Sequence, residues 1–466
     1  MKSGTAGRPV SLSLVVAALS AGILFYSQQT TLDWDEGFHL VAASLINAGR
    51  RPYIDFCFPQ PPVHAYWNAF WLRILGDSWR GPHAVAALLT CATVALVAEL
   101  VYRRTASQIQ AGVAALFVGL NAIVVEFGTK AQAYGAGLFL TFAAFRLTVA
   151  EPSLMRSALA GCIAGASADC TLLTAPACVV LFAWTAWRRR LAHAAAFAAG
   201  AVIGLLPVLM ALIRSPYLAW FNLVGYHVFF RRAGWTGAAE QDFSVLAGWV
   251  NSGAALLLGL FAVAGFAFVR KREFYLAGAM AVAMALEAAT AHPTFSQYFI
   301  FLVPLLAVPA AAGVIEVSAR LSMRPAWAVA GLAVLFGLNL ANALVATAGN
   351  NNDWDTIANL AKKVKQVTPA DATVLADPPV YFAMRQIPPE GSNFPASHRM
   401  EVPPAEAARL HIVPQSQLER QVKAGEFATV ETCRGDEDEI EALELHKHYA
   451  QSESINDCQV YWGFHR

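Results

Sequence analysis

The sequence predicts a polytopic all-α membrane bundle of about 11 transmembrane helices, with amphipathic helices on its outer face and a small C-terminal α/β domain in water. Composition, run length and charge distribution predict it. Of 466 residues, 57% are apolar and only 14% are charged. The apolar residues fall in runs near the roughly 20 residues that cross about 30 Å of hydrocarbon. The charge is uneven: from Gly349 to Arg466 there are 18 Asp and Glu against 11 Lys and Arg, net −7, which leaves +8 on the preceding part. The chain therefore divides into a membrane body at residues 1–348 and a mildly acidic soluble domain at 349–466. The excess positive charge sits in short loops between apolar runs, not on one polar face, which argues against nucleic-acid binding.

The runs are Val10 to Tyr26, Ala84 to Val101, Ile109 to Val125, Tyr134 to Ala150, Ser157 to Ala168 (the short one), Leu172 to Trp187, Leu191 to Ile213, Phe243 to Val269, Phe274 to Ala291, Tyr298 to Val317 and Ala326 to Ala348. Lys2 and Arg8 precede the first as in a signal peptide, but no small-residue cleavage site follows, so an uncleaved first span is expected. With the N-terminus cytoplasmic, Arg103 and Arg104, Arg156, Arg188 to Arg190, Arg270 to Arg272, and Arg320 with Arg324 all fall on the cytoplasmic side. That alternation obeys the positive-inside rule. An odd number of spans places the C-terminal domain outside, in the periplasm of a bacterial inner-membrane protein.

The first outer loop, residues 27–83, carries Asp33, Asp35, Glu36 and Asp55. Thr31, Asp33 or Asp35 is also a natural cap for a following helix, which leaves the rest of the acidic cluster unexplained. Gly37 to Ala48 presents Phe38, Val41, Leu45 and Ile46 at helical spacing, and Val63 to Leu75 presents Tyr66, Trp67, Phe70, Trp71 and Ile74. Two helices lying flat at the interface are expected, the aromatic rings at head-group depth. Pro59 to Pro62 stop any continuous helix between them.

Other ionisable residues collect on the same outer side: Glu126 and Lys130, Asp169, Arg231 and Arg232, Glu287 and His292. A charge at the bilayer centre costs roughly 3 kcal/mol or more, so such groups line cavities or pair with one another. A surface charge is the ordinary explanation of each alone. Together they predict a polar cavity opening outward.

In the tail, helices are expected over Asp353 to Val367, Val380 to Met384 and Ser416 to Lys423, and strands over Thr373 to Ala376, Arg409 to Val413 and Phe427 to Glu431. Asp436 to Glu439 reads as a solvated loop or helix start. Cys91, Cys162, Cys170 and Cys178 lie in or beside apolar runs and behave as small apolar residues. Cys433 and Cys458 alone fall in the tail, and outside the cytosol they are a disulfide candidate closing a loop of about 25 residues. No zinc-type spacing accompanies them.

These pieces resemble the GT-C superfamily of integral-membrane glycosyltransferases, within it glycosyltransferase family 39, the protein O-mannosyltransferases, the lipid A aminoarabinose transferases and the Rgt-type lipopolysaccharide-core transferases. The likeness rests on Asp35-Glu36-Gly37 after the first span, Gly49 to Phe56 with its Arg50, Arg51, Tyr53 and Asp55, Pro59-Gln60-Pro61-Pro62 before an aromatic helix, and Pro293 to Pro304 with Tyr298-Phe299. It covers about Val10 to Val317, with a weaker echo around Thr373 to Tyr381. The resemblance implies inverting sugar transfer from a polyprenyl-phosphate donor to a glycan, lipid or protein acceptor. In such an enzyme the acidic residue of the first outer loop takes the acceptor proton, which maps to Asp35 with Glu36 beside it. Growing phosphate charge calls for cations or a divalent metal, Mg or Mn. Candidate substrate- and phosphate-binding residues are Arg50, Arg51, Asp55, Lys130, Tyr134, Arg231, Arg232, His292 and Tyr298. Relatives place a second acidic group at the head of the fourth span, where this chain has Gln132 and Tyr134, so Glu126 and Asp169 both stand as candidates. The alternative class, a transporter or flippase of a lipid-linked or glycan substrate, predicts internal repeats and midplane charges. The sequence shows neither. A non-catalytic assembly factor is a third class, which unaltered transfer after loss of Asp35 and Glu36 would favour.

Overall fold

The structure, a computed structural model, describes residues 11–30, 32, 34–231, 237–348, 353–433, 441 and 443–465. All eleven apolar runs are helical. The body consists of α1 (Leu12–Ser27), α2 (Trp34–Asn47), α3 (Val63–Leu75), α4 (Arg80–Thr105), α5 (Gln108–Gly119), α6 (Ala122–Phe127), α7 (Ala133–Thr148), α8 (Leu154–Cys170), α9 (Ala175–Arg188), α10 (Leu191–Gly204) and α11 (Leu206–Arg214). It continues through α12 (Pro216–Trp220), a π-helix (Phe221–Phe230), α13 (Ala238–Asn251), α14 (Gly253–Phe268), α15 (Arg272–Thr290), a 3-10 turn (Ser296–Phe301), α16 (Leu302–Arg320) and α17 (Pro325–Ala348). Serines start several of these: Ser11, Ser107 and Ser153 each accept from a backbone N–H three residues on, satisfying a group the first turn leaves open.

Among the described residues, 4 helices are long and apolar enough to cross a membrane, or 6 if two pairs bent by 62° each count as one. The 11 crossings expected from run length are therefore not reached on that measure. The reason is local. Runs that are continuous in hydropathy are interrupted in backbone: Leu120 and Asn121 divide the third run into α5 and α6, and Ser252 ends α13 and caps α14 by accepting from Ala255 N–H.

Helix pairs in the body approach at glycines. Gly161 and Gly165 on α8 face Gly200 and Gly204 on α10, and a Cβ at any of the four would collide with backbone of the opposite helix. Four-residue spacing puts both glycines of each helix on one stripe, which lets the backbones touch where no hydrophobic effect drives helices together. Gly265 and Gly313 serve α14 and α16 in the same way.

The loop after α1 departs from expectation. α3 exposes Tyr66, Phe70, Ile74 and Leu75 as an interfacial helix should, but α2 is not a surface helix. Phe38, Leu40, Val41 and Leu45 are all buried, because α2 is covered on one side by α3 and on the other by the tail helix Pro378–Met384. Gly37 permits that contact, since a Cβ there would overlap the Pro379 ring.

The tail folds as α18 (Trp354–Val367), β1 (Val374–Leu375), α19 (Pro378–Met384), α20 (Pro404–Leu410), α21 (Gln415–Ala424), β2 (Thr429–Cys433), α22 (Leu445–His448), β3 (Tyr449–Ile455) and β4 (Cys458–Phe464). The sheet order is β1-β2-β4-β3, with β1 parallel to β2 and the other pairs antiparallel. The strand expected over Arg409 to Val413 is absent: Arg409 and Leu410 end α20, which Pro404 starts and His411 terminates at φ 55°, and Ile412 and Val413 follow in irregular backbone. The β3–β4 hairpin went unread because β3 is an edge strand, exposed from Ala450 to Glu453, and lacks apolar alternation. Cys433 and Cys458 are joined by a disulfide and lie opposite each other in the β2–β4 ladder. Asp436 to Glu439 fall outside the described residues.

Beside the disulfide, Glu431 is fully buried and accepts from Asp377 N–H at 2.9 Å. Burial, and then the nearby Asp377 charge, push its carboxyl well above the usual range. The unfolded chain thus releases a proton that the folded chain keeps, and stability falls as pH rises through and above about 4.3 toward the raised folded value. Glu431→Gln is expected to flatten that part of the pH profile and raise the thermal midpoint at pH 7.5, read by intrinsic-fluorescence unfolding. In the body, Gly200→Val is expected to cost roughly 1–3 kcal/mol through overpacking, seen as a lowered thermal midpoint in detergent. Gly22→Ala, where a Cβ meets nothing within 4 Å, is the control.

Candidate functional site

The acidic cluster separates into two environments. Asp35, in the first turn of α2, is exposed, and its charge acts on Tyr226 and Arg231. Glu36, one residue on, has no exposed surface. Its Oε1 meets His83 Nε2 and accepts from the Ala131 N–H at 2.8 Å. His83 Nδ1 lies 2.8 Å from the Ser27 carbonyl, which can only accept, so Nδ1 carries a proton. His83 is thus held between the Ser27 carbonyl and the Glu36 carboxylate. Asp33 lies outside the described residues.

The Ala131 peptide is held from its other side too. Its carbonyl accepts from Asn68 Nδ2 at 2.8 Å, and His64 Nε2 approaches it at 3.0 Å. Both come from the buried face of α3, spaced i and i+4. The turn between α6 and α7 is thereby clamped at one residue by two segments of the first outer loop. Lys130, next in the chain and 2% exposed, points over the Phe127 ring, its Nζ 4.8 Å from the centroid and 3.8 Å from Glu126. Tyr134 packs against Phe127 and Phe301 at 6.0 and 6.1 Å.

Arg231, at the end of the π-helix, donates to Tyr298 Oη at 2.6 Å and to the Pro293 carbonyl at 2.9 Å. Burial works against its charge, Tyr298, Tyr226 and Asp35 favour it, and the net direction is upward. Pro293 is itself positioned by Asp242, whose carboxylate meets His292 Nδ1 at 2.5 Å and accepts from Thr294 N–H at 2.6 Å. The 3-10 turn Ser296–Phe301 carries both Tyr298 and Phe301, so it connects the Arg231 group to the Tyr134 group. Arg232 lies outside the described residues.

The tail completes the wall. Phe394 packs on Phe38 at 5.4 Å and on Tyr226 at 5.1 Å, Asn393 donates to the Cys57 carbonyl at 2.7 Å, and Trp354 stacks on Trp79 beside His83.

Of the residues singled out in the sequence, the structure brings Asp35, Arg231 and Tyr298 into one electrostatic group, with Lys130, Glu126 and Tyr134 in an adjoining one. His292 acts on the segment that presents the Pro293 carbonyl. Arg51 and Asp55 form a local bidentate pair at 2.9 and 3.1 Å, with exposed Arg50 beside them, on a different face. Asp169 is buried near the end of α8, where its Oδ2 accepts from Val208 N–H at 3.0 Å. It and Glu287 stand near helix ends, not at helix midpoints. Sequence reasoning missed Tyr226, His83, Asn222 (which accepts from Phe58 N–H at 2.8 Å), His64, Asn68 and Asp242. A polar residue inside an apolar or aromatic stretch, as in Phe221 to Phe230 and Val63 to Leu75, is the signal that Asn222, Tyr226, His64 and Asn68 share; Asp242, beside Glu240 and Gln241, and His83 carry no such signal.

One group of three among the described residues is suited to a metal, Glu431 with Cys433 and Cys458. It lies in the tail, with both sulfurs bonded to each other. Asp35, Glu36, Glu126 and Asp169 form no such group, and Glu36 is already engaged by His83 and Ala131. Among the described residues the body's carboxylates therefore offer no set of three ligands for the divalent ion that the resemblance implies.

His39 and His64 lie with ring centroids 5.0 Å apart. Burial lowers both, His64 to about 4. A histidine kept neutral by the fold but protonated when unfolded loses stability as pH falls from about 6.5 toward the folded value. Thermal midpoints are therefore expected to drop across pH 6.5 to 4.5, and His64→Phe, which leaves Asn68 on the Ala131 carbonyl, should shrink the drop.

No family model matches the chain, and no curated protein matches it in sequence. Solved structures do. ArnT from Cupriavidus metallidurans bound to undecaprenyl phosphate superposes with a TM-score of 0.68 at 15% identity, covering 96% of this chain and 97% of that one. The apo state of that protein gives 0.69 at 14% identity with the same coverage. The Archaeoglobus fulgidus oligosaccharyltransferase in complex with Zn and sulfate gives 0.51 at 12% identity, covering 91% of this chain and 68% of that one. Body and tail together thus share the fold of the ArnT structures.

Proposed function

We propose that the chain is a membrane glycosyltransferase that moves a sugar from a polyprenyl-phosphate carrier to an acceptor on the outer face of the inner membrane, with Asp35 as the base. One observation carries this: an exposed carboxylate at the start of α2 shares an electrostatic field with an arginine held in place by Tyr298 and the Pro293 carbonyl. A base and a phosphate-binding cation side by side are what glycosyl transfer from a lipid phosphate requires. The full-length likeness to a protein crystallised with undecaprenyl phosphate supports that class of donor.

In this reaction the acceptor hydroxyl gives its proton to Asp35 as its oxygen bonds to the anomeric carbon. The bond from that carbon to the phosphate oxygen breaks, and the configuration inverts. The leaving phosphate gains charge, which Arg231 neutralises, with Lys130 as the second cation. Glu36 is a positioning residue: through His83 and the Ala131 N–H it sets the turn that carries Lys130. Tyr134, Tyr226 and Phe394 supply an apolar and aromatic surround that keeps water from the reacting carbon.

The test is sugar transfer by purified protein in nanodiscs, read as release of polyprenyl phosphate from a panel of lipid-linked sugars. Asp35→Asn is expected to reduce turnover by roughly 10²–10⁴-fold with little change in KM, and Arg231→Met to lower turnover while Arg231→Lys restores part of it. Glu36→Gln should lower the thermal midpoint as well as the rate, as a positioning residue does. Turnover unchanged in Asp35→Asn would overturn the assignment.

A further inference from the structure

A second site lies on the other face of the first outer loop. Between α3, α11 and the turn at Arg51–Ile54 is a crevice of about 620 Å³. Its walls are apolar and aromatic: Tyr66, Trp67 and Phe70 on one side, Pro207, Met210 and Ala211 on the other. Exposed Ile74 and Ile213 extend both walls beyond it. The rim is cationic. Arg51 and Arg214 both line it, and the Tyr66 ring lies where both guanidiniums and Asp55 act on it. Arg50 also acts on Asp55. At the rim three guanidiniums thus stand against one carboxylate, while Asp169, buried below, acts on the lining Tyr53. The bidentate Arg51–Asp55 pair cancels one guanidinium, which leaves Arg50 and Arg214, both exposed, as the excess.

A net positive rim over an apolar slot is complementary to an amphiphile with an anionic head. A free phosphate would use the rim and leave the walls bare. A neutral lipid would use the walls and leave the guanidiniums uncompensated. We propose that this crevice binds an anionic membrane phospholipid, its phosphate at Arg214 and Arg50 and one acyl chain between Phe70 and Met210. The site stands apart from the Asp35 group, yet α3 is common to both: Tyr66, Trp67 and Phe70 line the crevice, while His64 and Asn68 hold the Ala131 carbonyl from the helix's other side. An occupied crevice therefore braces the helix that sets the Lys130 turn.

The experiment is native mass spectrometry of the delipidated full-length protein, titrated separately with phosphatidylglycerol, phosphatidylethanolamine and polyprenyl phosphate, with the thermal midpoint read alongside. Phosphatidylglycerol is expected to bind roughly tenfold more tightly than phosphatidylethanolamine, because basic residues favour anionic head groups, and to raise the midpoint. Arg50→Gln with Arg214→Gln should erase the preference, and the two lysine substitutions should keep it. Met210→Trp, which fills the slot, should remove the retained lipid whatever its head group, and it serves if the double variant does not fold. Equal binding of the two phospholipids, or a preference untouched by the arginine changes, overturns the proposal. Arginine-dependent binding in which polyprenyl phosphate displaces phosphatidylglycerol also overturns it, and assigns the crevice to the carrier. None of these readouts involves sugar transfer, so failure here leaves the Asp35 reading standing.

Discussion

The architecture around Asp35 depends on one peptide unit. Ala131 is grasped at its N–H by Glu36 and at its carbonyl by Asn68 and His64, so three residues of one outer loop determine where the turn between α6 and α7 sits. A buried peptide with both groups satisfied by side chains is rigid, because breaking either contact leaves a desolvated polar atom costing roughly 1–3 kcal/mol. Glu36 is tolerated without solvent because its Oε1 meets both His83 and the Ala131 N–H, and the Ser27 carbonyl holds His83. The chain of contacts thus runs from the end of α1 through the start of α4 to Ala131 in the turn before α7, next to Lys130.

This arrangement explains why two adjacent acids diverge in character. On a helix, successive residues are rotated by about 100°, so Asp35 and Glu36 cannot face the same environment. One turns to the accessible side, where Arg231 lies. The other turns into the body. Helical geometry alone gives one neighbour to the accessible side and the other to the scaffold.

The soluble tail has a comparable structural duty. It reaches the membrane body through Trp354 on Trp79, Asn393 on the Cys57 carbonyl, His411 on the Ile54 carbonyl and Phe394 between Phe38 and Tyr226. Gly37 allows α19 to lie against α2. Covering α2 in this way excludes water from its apolar face and converts a helix with interfacial composition into a buried one. The tail is therefore part of the wall of the site, although no catalytic motif lies within it.

By itself the sequence determined the division into an apolar body and an acidic tail, the helical runs, the aromatic helix Val63 to Leu75, and the prominence of Asp35, Lys130, Arg231 and Tyr298. Hydrophobic period, proline breaks and charges in unusual places are local properties, and they are legible without a fold. Tertiary structure alone decided that Glu36 is buried, that α2 is roofed, that Asp169 belongs to the Val208 backbone, and that Tyr226, His83 and Asn68 take part. Each of those depends on which surfaces meet across many tens of residues. A carboxylate left in water stays accessible and one packed into an apolar interior becomes a clamp, and only packing distinguishes the two.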